Sequence, residues 1–535
     1  MTSTPAPIPG KIFQLNQERA DLVRDVVARE YARKAASETS LELAINDTAF
    51  SEIARLESAR KNPALDHWRE LYRTLGRKPL AEKQAILKRL LEEAALDIVG
   101  NFDPRVYEFA TRVLPYGLSY IMRPQHQGPN LTSSLSERIQ ATGHIDTLRR
   151  LAEKGTVILV PTHSSNLDSV VIGYALYEQG LPPFTYGAGK NLFTNFLLSF
   201  FMNNLGAYKV DRRLNYALYK DVLKTYSTVL LERGYHSLFF PGGGRSRSNA
   251  VESKLKLGLM GTGLAAYINN LKANKPNPEI YVVPATLNYH LVLEAETLID
   301  DQLQKVGKSR YIIEDDESAQ AKRIWDFVRQ MGKLDMSMVI QFGEPLDPFG
   351  NRVDEHGVSR DMRGRAIDLR KYVEVDGVPE HRAQRDAEYT RELAASIVRS
   401  YRENTVVMAT PLVAFALFEL AKQHHPQLDL FQLLRLPDDT AFPLATVYAV
   451  IDRLRERLRA IADRGGILLG QDVMRLSTEA LVDKALKIFG MYHTRPLALR
   501  EGSAIRLVDL KVLLYYHNRL TGYGLEAALA SEVTV

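Results

Sequence analysis

The chain has no cysteine among its 535 residues. Disulfides, thiolate nucleophiles and thiolate metal ligands are therefore excluded, and a reducing compartment would suit it. It also lacks a Gly-x-Ser-x-Gly turn, which disfavours a serine hydrolase of the α/β type. No signal-peptide pattern is present at Met1–Gln17, a proline- and threonine-rich segment.

Long apolar runs are missing as well. A membrane-spanning helix needs about 18 or more consecutive apolar residues. The two nearest stretches, Asn191–Tyr208 and Thr405–Ala421, are interrupted by asparagine in the first and by proline in the second. We expect both to be buried or membrane-apposed helices rather than membrane spans. The apolar helix within the first could equally be a core helix, the lining of an acyl-chain groove or a segment at the membrane interface.

The overall composition is that of a globular protein, with 45% hydrophobic and 25% charged residues. The length predicts two or three domains. The net charge of +5 and the pI near 8.9 favour anionic partners, such as phosphorylated substrates or acidic lipids, over neutral ones. No nucleic-acid-binding module is recognisable, so nucleic acid is not an expected partner. We also find no metal-ligand cluster and expect no metal or bound cofactor.

The pattern of apolar residues changes along the chain and predicts its domains. Residues 1–150 form an N-terminal helical region, 151–350 an α/β domain, 351–385 a polar linker and 386–535 a C-terminal helical region. Strand and helix patterns alternate between 156 and 300, which predicts an α/β fold in which a mixed sheet carries helices on both faces. The predicted strands are Thr156–Val160, Phe184–Ala188, Ala207–Val210, Ser237–Phe240, Tyr281–Leu287 and one within Ser337–Pro345.

Several helices are predicted by amphipathic or apolar periodicity. In the first half of the chain they are Leu135–Glu153, Leu214–Arg233 and Lys256–Asn269. Residues 301–335 are expected to form a mainly helical, charged insertion. Toward the C-terminus the predicted helices are Asp386–Arg402, Thr405–Gln423, Ala445–Asp463 and Leu510–Leu520.

The candidate functional residues are concentrated in Gly155–Arg247. An apolar strand, Thr156–Val160, leads into a polar turn that carries His163 and Asp168, and an apolar helix follows. Ligands of α/β proteins bind beyond the carboxyl ends of the strands, so this turn is a candidate site. Taken alone, the pair could equally be a hydrogen-bonded, helix-capping turn. The same His-x4-Asp spacing occurs three more times without a buried strand before it, at His356, His381 and His424.

Three further blocks follow His163-Ser164-Ser165-Asn166-Leu167-Asp168 in order. They are Gly206-Ala207-Tyr208-Lys209-Val210-Asp211-Arg212-Arg213, Phe239-Phe240-Pro241-Gly242-Gly243-Gly244-Arg245-Ser246-Arg247 and Val282-Val283-Pro284-Ala285-Thr286-Leu287-Asn288-Tyr289. Together the four blocks resemble the glycerolipid acyltransferase superfamily, which includes glycerol-3-phosphate and 1-acylglycerol-3-phosphate acyltransferases. The resemblance covers roughly residues 150–350 and implies an α/β acyltransferase core.

The resemblance implies transfer of an acyl group from a thioester to a hydroxyl. In that reaction His163 would be the general base, and Asp168 would fix its tautomer and stabilise the imidazolium. The substrate hydroxyl would take the place of a serine nucleophile. A serine-linked acyl-enzyme on Ser164 or Ser165 remains an alternative at this point.

The resemblance also implies a phosphate site. Arg212, Arg245, Arg247 and Lys256 occupy basic positions of the motifs, and Gly243 lies in a turn whose backbone can approach a ligand. Lys190 and Asn191 follow the second strand in a Gly-Ala-Gly-Lys-Asn run, similar to an Ala-Gly-x-Asn-Leu run of the larger relatives. They are further substrate-binding candidates.

Gly242 is a departure from the family pattern, because it stands where the family's third block has a glutamate. Its effect could be a reshaped acceptor site or weakened catalysis. Chain length and flanking helices favour acylation of glycerol-3-phosphate, whereas Val210-Asp211-Arg212 resembles the lysophosphatidate type. A catalytically weakened lipid-binding homologue is the third alternative.

The resemblance also implies an acyl donor, which would be acyl-CoA or an acyl-carrier protein. The expected location is the cytoplasmic face of a membrane with anionic lipids, as a peripheral or monotopic protein.

Overall fold

The computed structural model describes residues 10–57, 63–113, 138–190, 196–306, 338–437 and 440–529. The N-terminal part is helical, as predicted. Its helices are α1 (Leu15–Lys34), α2 (Glu38–Glu57), α3 (Pro63–Thr74), α4 (Leu80–Ile98) and α5 (Pro104–Glu108).

The centre of the molecule is a seven-stranded sheet. Its strands are β1 (Ile139–Gly143), β2 (Thr156–Pro161), β3 (Thr185–Gly189), β4 (Ala207–Val210), β5 (Ser237–Leu238), β6 (Ile280–Tyr289) and β7 (Met338–Phe342). Their order across the sheet is β1-β7-β6-β2-β5-β3-β4. Only β6 and β7 pair in antiparallel fashion, so the sheet is mixed, as predicted. All six residues of β2 are buried, which explains why this parallel strand is continuously apolar.

Helices cover both faces of this sheet. The helices of this part of the chain are α6 (Ile145–Lys154), α7 (Asp168–Glu178), α8 (Phe196–Asn204), α9 (Ala217–Glu232), α10 (Leu257–Lys272) and α11 (Ala295–Val306). Leu148 of α6 and Ile172 of α7 pack with Leu159 on one face. Leu264 of α10 packs with Ile158 on the other face. The predicted fold class is therefore confirmed.

The N-terminal helices pack against the edge of the sheet that carries β4. Leu22 and Val26 of α1 and Leu91 of α4 lie in one buried cluster with Tyr226 of α9. The Tyr226 hydroxyl also accepts a hydrogen bond from the backbone N–H of Gly100, at 3.1 Å. These helices are thus docked onto the α/β core through an apolar interface.

The C-terminal part is organised around one buried helix. The helices here are α12 (Ala383–Glu403), α13 (Ala409–His424), α14 (Leu430–Leu433), α15 (Leu444–Ala462), α16 (Gln471–Arg475), α17 (Thr478–Phe489) and α18 (Leu510–His517). Every residue of α13 from Ala409 to Ala421 is buried, so this apolar segment is a core helix. Pro411 is tolerated because it lies in the first turn, where its missing N–H has no helical partner. Within the described ranges, no helix is long and apolar enough to cross a membrane.

The C-terminal half also contains short strands. They are β8 (Arg352–Val353), β9 (Ser359–Arg360), β10 (Glu374–Val375), β11 (Val378–Pro379), β12 (Val406–Val407), β13 (Ala441–Pro443), β14 (Leu468–Leu469), β15 (Ala498–Glu501) and β16 (Ala504–Leu507).

One prediction of local structure is wrong, and one feature of the predicted linker was missed. The helix expected over Leu135–Glu153 is instead β1 followed by α6, because Ile139–Gly143 pairs in parallel with β7 and Gly143 has a positive φ of 91°. Sheet pairing here overrides an amphipathic pattern. The polar linker predicted over residues 351–385 contains the β10–β11 hairpin, whose Asp376-Gly377 turn has φ values of 51° and 78°. An Asp-Gly pair is a hairpin signal that the sequence interpretation missed. Most of the expected insertion at 301–335 lies outside the described residues.

Candidate active site

The turn that carries His163 lies between the end of β2 and the start of α7, at the carboxyl end of the central strand. Strand β6 holds this turn from the side: Thr162 N donates to Ala285 O at 2.9 Å, and Leu287 N donates to Thr162 Oγ1 at 3.0 Å. Asp168 is the first residue of α7 and is completely buried. Its Oδ2 accepts the backbone N–H groups of Ser164 and Ser165, at 2.7 and 3.0 Å. The carboxylate thus fixes the turn on which His163 stands.

The His163 ring is held on two sides. Its Nδ1 lies 2.7 Å from Asp168 Oδ2, and its side chain is 16% exposed. The ring stacks on Phe240, with centroids 4.0 Å apart and planes inclined by 20°. Because Asp168 Oδ2 already accepts two N–H groups, we assign the proton to Nδ1, which donates it to Asp168. Nε2 then carries the lone pair of a neutral imidazole and can act as a base.

Tyr289, at the end of β6, completes the environment of Asp168. Its hydroxyl donates to Asp168 Oδ1. Burial and the adjacent Asp168 carboxylate raise the pKa of Tyr289 well above its ordinary value, so the phenol stays protonated and remains a donor. Asp168 consequently accepts four hydrogen bonds, which fix its position between the turn and β6.

Two further carboxylates hold the same turn. Glu294 accepts from Ser165 Oγ and from Asn166 N, both at 2.9 Å. Burial raises the pKa of Glu294, and the charge of Arg245 opposes that shift. Glu252 Oε1 accepts from the backbone N–H of His163, at 2.9 Å. Neither glutamate belongs to a pattern with a fixed spacing from His163, which is why the sequence interpretation missed both.

Three of the predicted arginines are brought together beside this turn. The loop that carries Arg245 and Arg247 is tied to His163, because Ser246 N donates to His163 O at 2.7 Å. The guanidinium of Arg212 lies beside the same loop, because a Cβ built on Gly244 would be 3.6 Å from Arg212 Nη1. Desolvation, and then the like charges of Arg245 and Arg247, lower the pKa of Arg212. Arg245 Nη1 lies 3.5 Å from Glu294, and Arg247 Nε lies 3.3 Å from Asp301.

Glycines of the same loop bring Lys256 close to these arginines. Gly243 has a φ of 73°, and a Cβ built on it would lie 2.4 Å from Lys256 Cδ and 2.7 Å from Lys256 Nζ. A Cβ on Gly244 would lie 3.6 Å from Arg212 Nη1. A side chain at position 243 would therefore displace the end of Lys256, and the positive φ favours glycine there, whereas a Cβ at position 244 would make an ordinary contact with Arg212.

Lys190 has different neighbours. It forms an ion pair with Asp97 of α4 at 2.9 Å, and Asp211 lies 3.7 Å away. These three residues line a cavity of about 300 Å³ next to the N-terminal helices, and neither His163 nor any of the three arginines lines it. Asn191, the other candidate from this run, lies outside the described residues.

The C-terminal region also reaches the site. Arg519 is buried at 5% exposure, and its Nη2 donates to Leu287 O and Asn288 Oδ1, both at 2.9 Å. Its charge acts to lower the pKa of Glu252. The segment that follows α18 thus places a cation at the carboxyl end of β6.

The fold and the geometry of the site together indicate a class of enzyme. A base–carboxylate pair at the end of a central strand, next to a group of cations, is typical of an α/β enzyme that activates a hydroxyl near an anionic group. In the part of the chain that the structure describes, no three His, Asp or Glu side chains are grouped so as to hold a metal ion.

Comparison with known proteins gives the family. Residues 140–288 match the family model described as Acyltransferase. This match and the names of the similar proteins support the glycerolipid acyltransferase superfamily, which the motifs predicted. The assignment of His163, Asp168 and the basic residues to particular roles stays a prediction.

Similar curated proteins carry the name glycerol-3-phosphate acyltransferase. One from Pseudomonas aeruginosa is 25% identical over 410 residues, which is 73% of this chain and 43% of the relative. One from Histophilus somni is 26% identical over 342 residues, 62% of this chain and 38% of the relative. One from Haemophilus ducreyi is 29% identical over 271 residues, 50% of this chain and 29% of the relative. The chain therefore spans less than half the length of these relatives.

Proposed function

We propose that this protein transfers a fatty acyl group from an acyl thioester to a hydroxyl of glycerol-3-phosphate. The observation that carries the proposal is the 2.7 Å contact between His163 Nδ1 and Asp168 Oδ2, on a turn tied directly to the arginine-bearing loop. The names of the similar proteins support the choice of acceptor.

In the proposed reaction, Nε2 of His163 removes the proton from the acceptor hydroxyl as its oxygen attacks the thioester carbonyl. Asp168 accepts a hydrogen bond from Nδ1–H throughout and stabilises the imidazolium that forms. Collapse of the tetrahedral intermediate breaks the carbon–sulfur bond, and the imidazolium returns its proton to the leaving thiolate. The products are an ester and a free thiol, and His163 is neutral again.

Ser165 has a structural role in this scheme and is not the nucleophile. Its hydroxyl donates to Glu294 Oε2, so it serves to hold the turn. The substrate hydroxyl is then the nucleophile, and we propose direct attack rather than a serine-linked acyl-enzyme.

The phosphate of the acceptor would bind to the cations beside the turn. Arg212 is the strongest candidate, because it is exposed and its guanidinium lies beside Gly244, in the loop that carries Arg245 and Arg247. The neighbouring positive charge that lowers its pKa would be relieved by a bound dianion. Asp211 does not compete for it: the Asp211 carboxylate binds Arg213 at 2.9 Å. Arg245, Arg247 and Lys256 would supply further positive charge. This site recognises a phosphate, whether or not the acceptor already carries an acyl chain.

Lysophosphatidate is therefore the second candidate acceptor, favoured by the Val210-Asp211-Arg212 sequence. Acyl-CoA and acyl-carrier protein both remain possible donors. We further propose that the protein works at the cytoplasmic face of a membrane, because its acyl donor, product and positive charge all suit an anionic lipid surface.

Acyl transfer by the purified protein tests the proposal. Palmitoyl-CoA is supplied with glycerol-3-phosphate and lysophosphatidate as competing acceptors. Monoacylated product from glycerol-3-phosphate supports the first-step assignment. Diacylated product alone would move the protein to the second step, and no product from either acceptor, with acyl-carrier protein also tested as donor, would refute the activity.

A further inference from the structure

Gly242 and Glu252 share one small space beside His163. Gly242 has an ordinary backbone conformation, so a side chain is not excluded by φ. A Cβ built on Gly242 would lie 3.4 Å from both Cγ and Oε1 of Glu252. The side chain of Glu252 therefore occupies the region into which a longer side chain at position 242 would extend.

From this space, Glu252 contacts the backbone of His163. Glu252 Oε1 accepts the backbone N–H of His163, at 2.9 Å. Since this N–H belongs to the residue proposed as the base, the carboxylate fixes the backbone from which the imidazole projects. Its second oxygen, Oε2, is buried and has no hydrogen-bond partner within the described part of the chain.

We propose that Glu252 supplies, from ten residues further along the chain, the carboxylate that position 242 lacks, and that it is a positioning residue for His163. This inference rests on the proposed acyltransferase function and deepens it. The Gly242 departure would then mark a relocated carboxylate rather than a weakened site.

The pKa of Glu252 is raised, because burial outweighs the opposing effects of the hydrogen bond from His163 N and of the charge of Arg519. Arg519 comes from the C-terminal region, at the carboxyl end of β6. The positioning role of Glu252 therefore rests on the geometry of its contact with His163 N, which either protonation state of the side chain can accept.

An exchange of the two side chains tests the proposal. The variants are Glu252→Gly, Gly242→Glu and the double variant Gly242→Glu/Glu252→Gly. Glu252→Gly leaves the His163 N–H without its acceptor, and we expect kcat to fall about tenfold to hundredfold, as misplacement of a reacting group does. The KM for glycerol-3-phosphate should change by less than about twofold, because Glu252 acts on His163. Gly242→Glu places two carboxylates in one space and should lower both the thermal midpoint and kcat.

The double variant is the decisive one. We expect it to recover kcat to within about fivefold of the wild type, and to have a higher thermal midpoint than either single variant. Two controls accompany it. Gly242→Ala adds only a Cβ at ordinary contact distance and should keep the thermal midpoint. Glu252→Gln keeps an acceptor oxygen for His163 N–H but no charge; it should fold even if Glu252→Gly does not.

Additive losses in the double variant, in both kcat and thermal midpoint, would overturn the proposal, as would a kcat of Glu252→Gly equal to that of the wild type. Glu252→Gln should keep a kcat closer to the wild type than Glu252→Gly does, because it still accepts from His163 N–H. The thermal midpoints do not depend on acyl transfer. If the wild-type protein transferred no acyl group, the proposed function would fail, whereas mutual rescue of the midpoints would still show that the two positions share one carboxylate site.

Discussion

Two substitutions of Asp168 should distinguish its contribution to the stability of the fold from its contribution to kcat. Its carboxylate accepts the N–H groups of Ser164 and Ser165, the Nδ1 proton of His163 and the hydroxyl of Tyr289. In Asp168→Ala all of these donors lose their acceptor inside a buried site. Each unpaired donor costs about 1–3 kcal/mol. The two backbone groups and the phenol together give a loss of about 3–9 kcal/mol, which is a large part of the stability of a typical domain.

Asp168→Asn is different, because one amide oxygen can still accept the two backbone N–H groups and the His163 proton. The amide nitrogen can donate to the Tyr289 oxygen. We therefore expect a modest loss of stability, about 1–2 kcal/mol. The negative charge that stabilises the imidazolium is gone, however, and kcat should fall about 10³- to 10⁴-fold, as in other His–Asp pairs.

Thermal unfolding and steady-state acyl transfer, measured on the same preparations, test the expected changes in stability and in kcat. The reasoning predicts a folded and almost inactive Asp168→Asn beside a severely destabilised Asp168→Ala. An Asp168→Asn variant with wild-type kcat would refute the role of the His163–Asp168 pair. An Asp168→Ala variant as stable as the wild type would show that the four hydrogen bonds are not made.

Three other predictions concern the cations, the glycine turn and acid stability. Arg212→Gln should raise the KM for glycerol-3-phosphate about 10- to 100-fold, since a charge-assisted bond contributes about 1.5–3 kcal/mol; an unchanged KM would place the phosphate elsewhere. Gly243→Ala should lower the free energy of unfolding by about 1 kcal/mol because φ is positive. It should also raise the KM for glycerol-3-phosphate by displacing Lys256. Wild-type stability together with a wild-type KM would show that Lys256 does not lie against Gly243. Burial lowers the pKa of His236 to about 4, and its Nδ1 accepts from Val157 N. The neutral ring thus stabilises the fold above pH 6.5, and this contribution, about 3 kcal/mol, is lost as the pH falls from 6.5 to 4. In thermal unfolding across that range His236→Asn should show a shallower loss than the wild type, and an equal slope would refute the assignment.

The sequence predicted the α/β core because its signals there are local. A continuous apolar strand such as Thr156–Val160 must be buried on both faces of a sheet, and turn residues bound it clearly. The four motif blocks each end a strand, so parallel pairing brings them to one edge. For that reason His163, Asp168 and the three arginines could be expected near one another before any geometry was available.

The remaining parts depend on contacts between distant residues. Glu252 and Glu294 reach the His163 turn from positions outside the motif blocks, and nothing in their local sequence marks them. Tyr289 ends the fourth block, but its contact with Asp168 was not predicted. Strand β1 was missed because its pairing with β7 joins residues about 200 positions apart along the chain. Arg519 could be found only once the C-terminal helices were seen to dock at the end of β6.

The central claim is that His163 is the base. The most direct measurement compares wild type and His163→Ala for acyl transfer from palmitoyl-CoA to glycerol-3-phosphate, with binding of glycerol-3-phosphate measured by calorimetry on the same samples. The account predicts at least a thousandfold loss of turnover with binding retained, a magnitude of about 10³ or more being usual for loss of such a base. Turnover close to that of the wild type in His163→Ala would contradict the account.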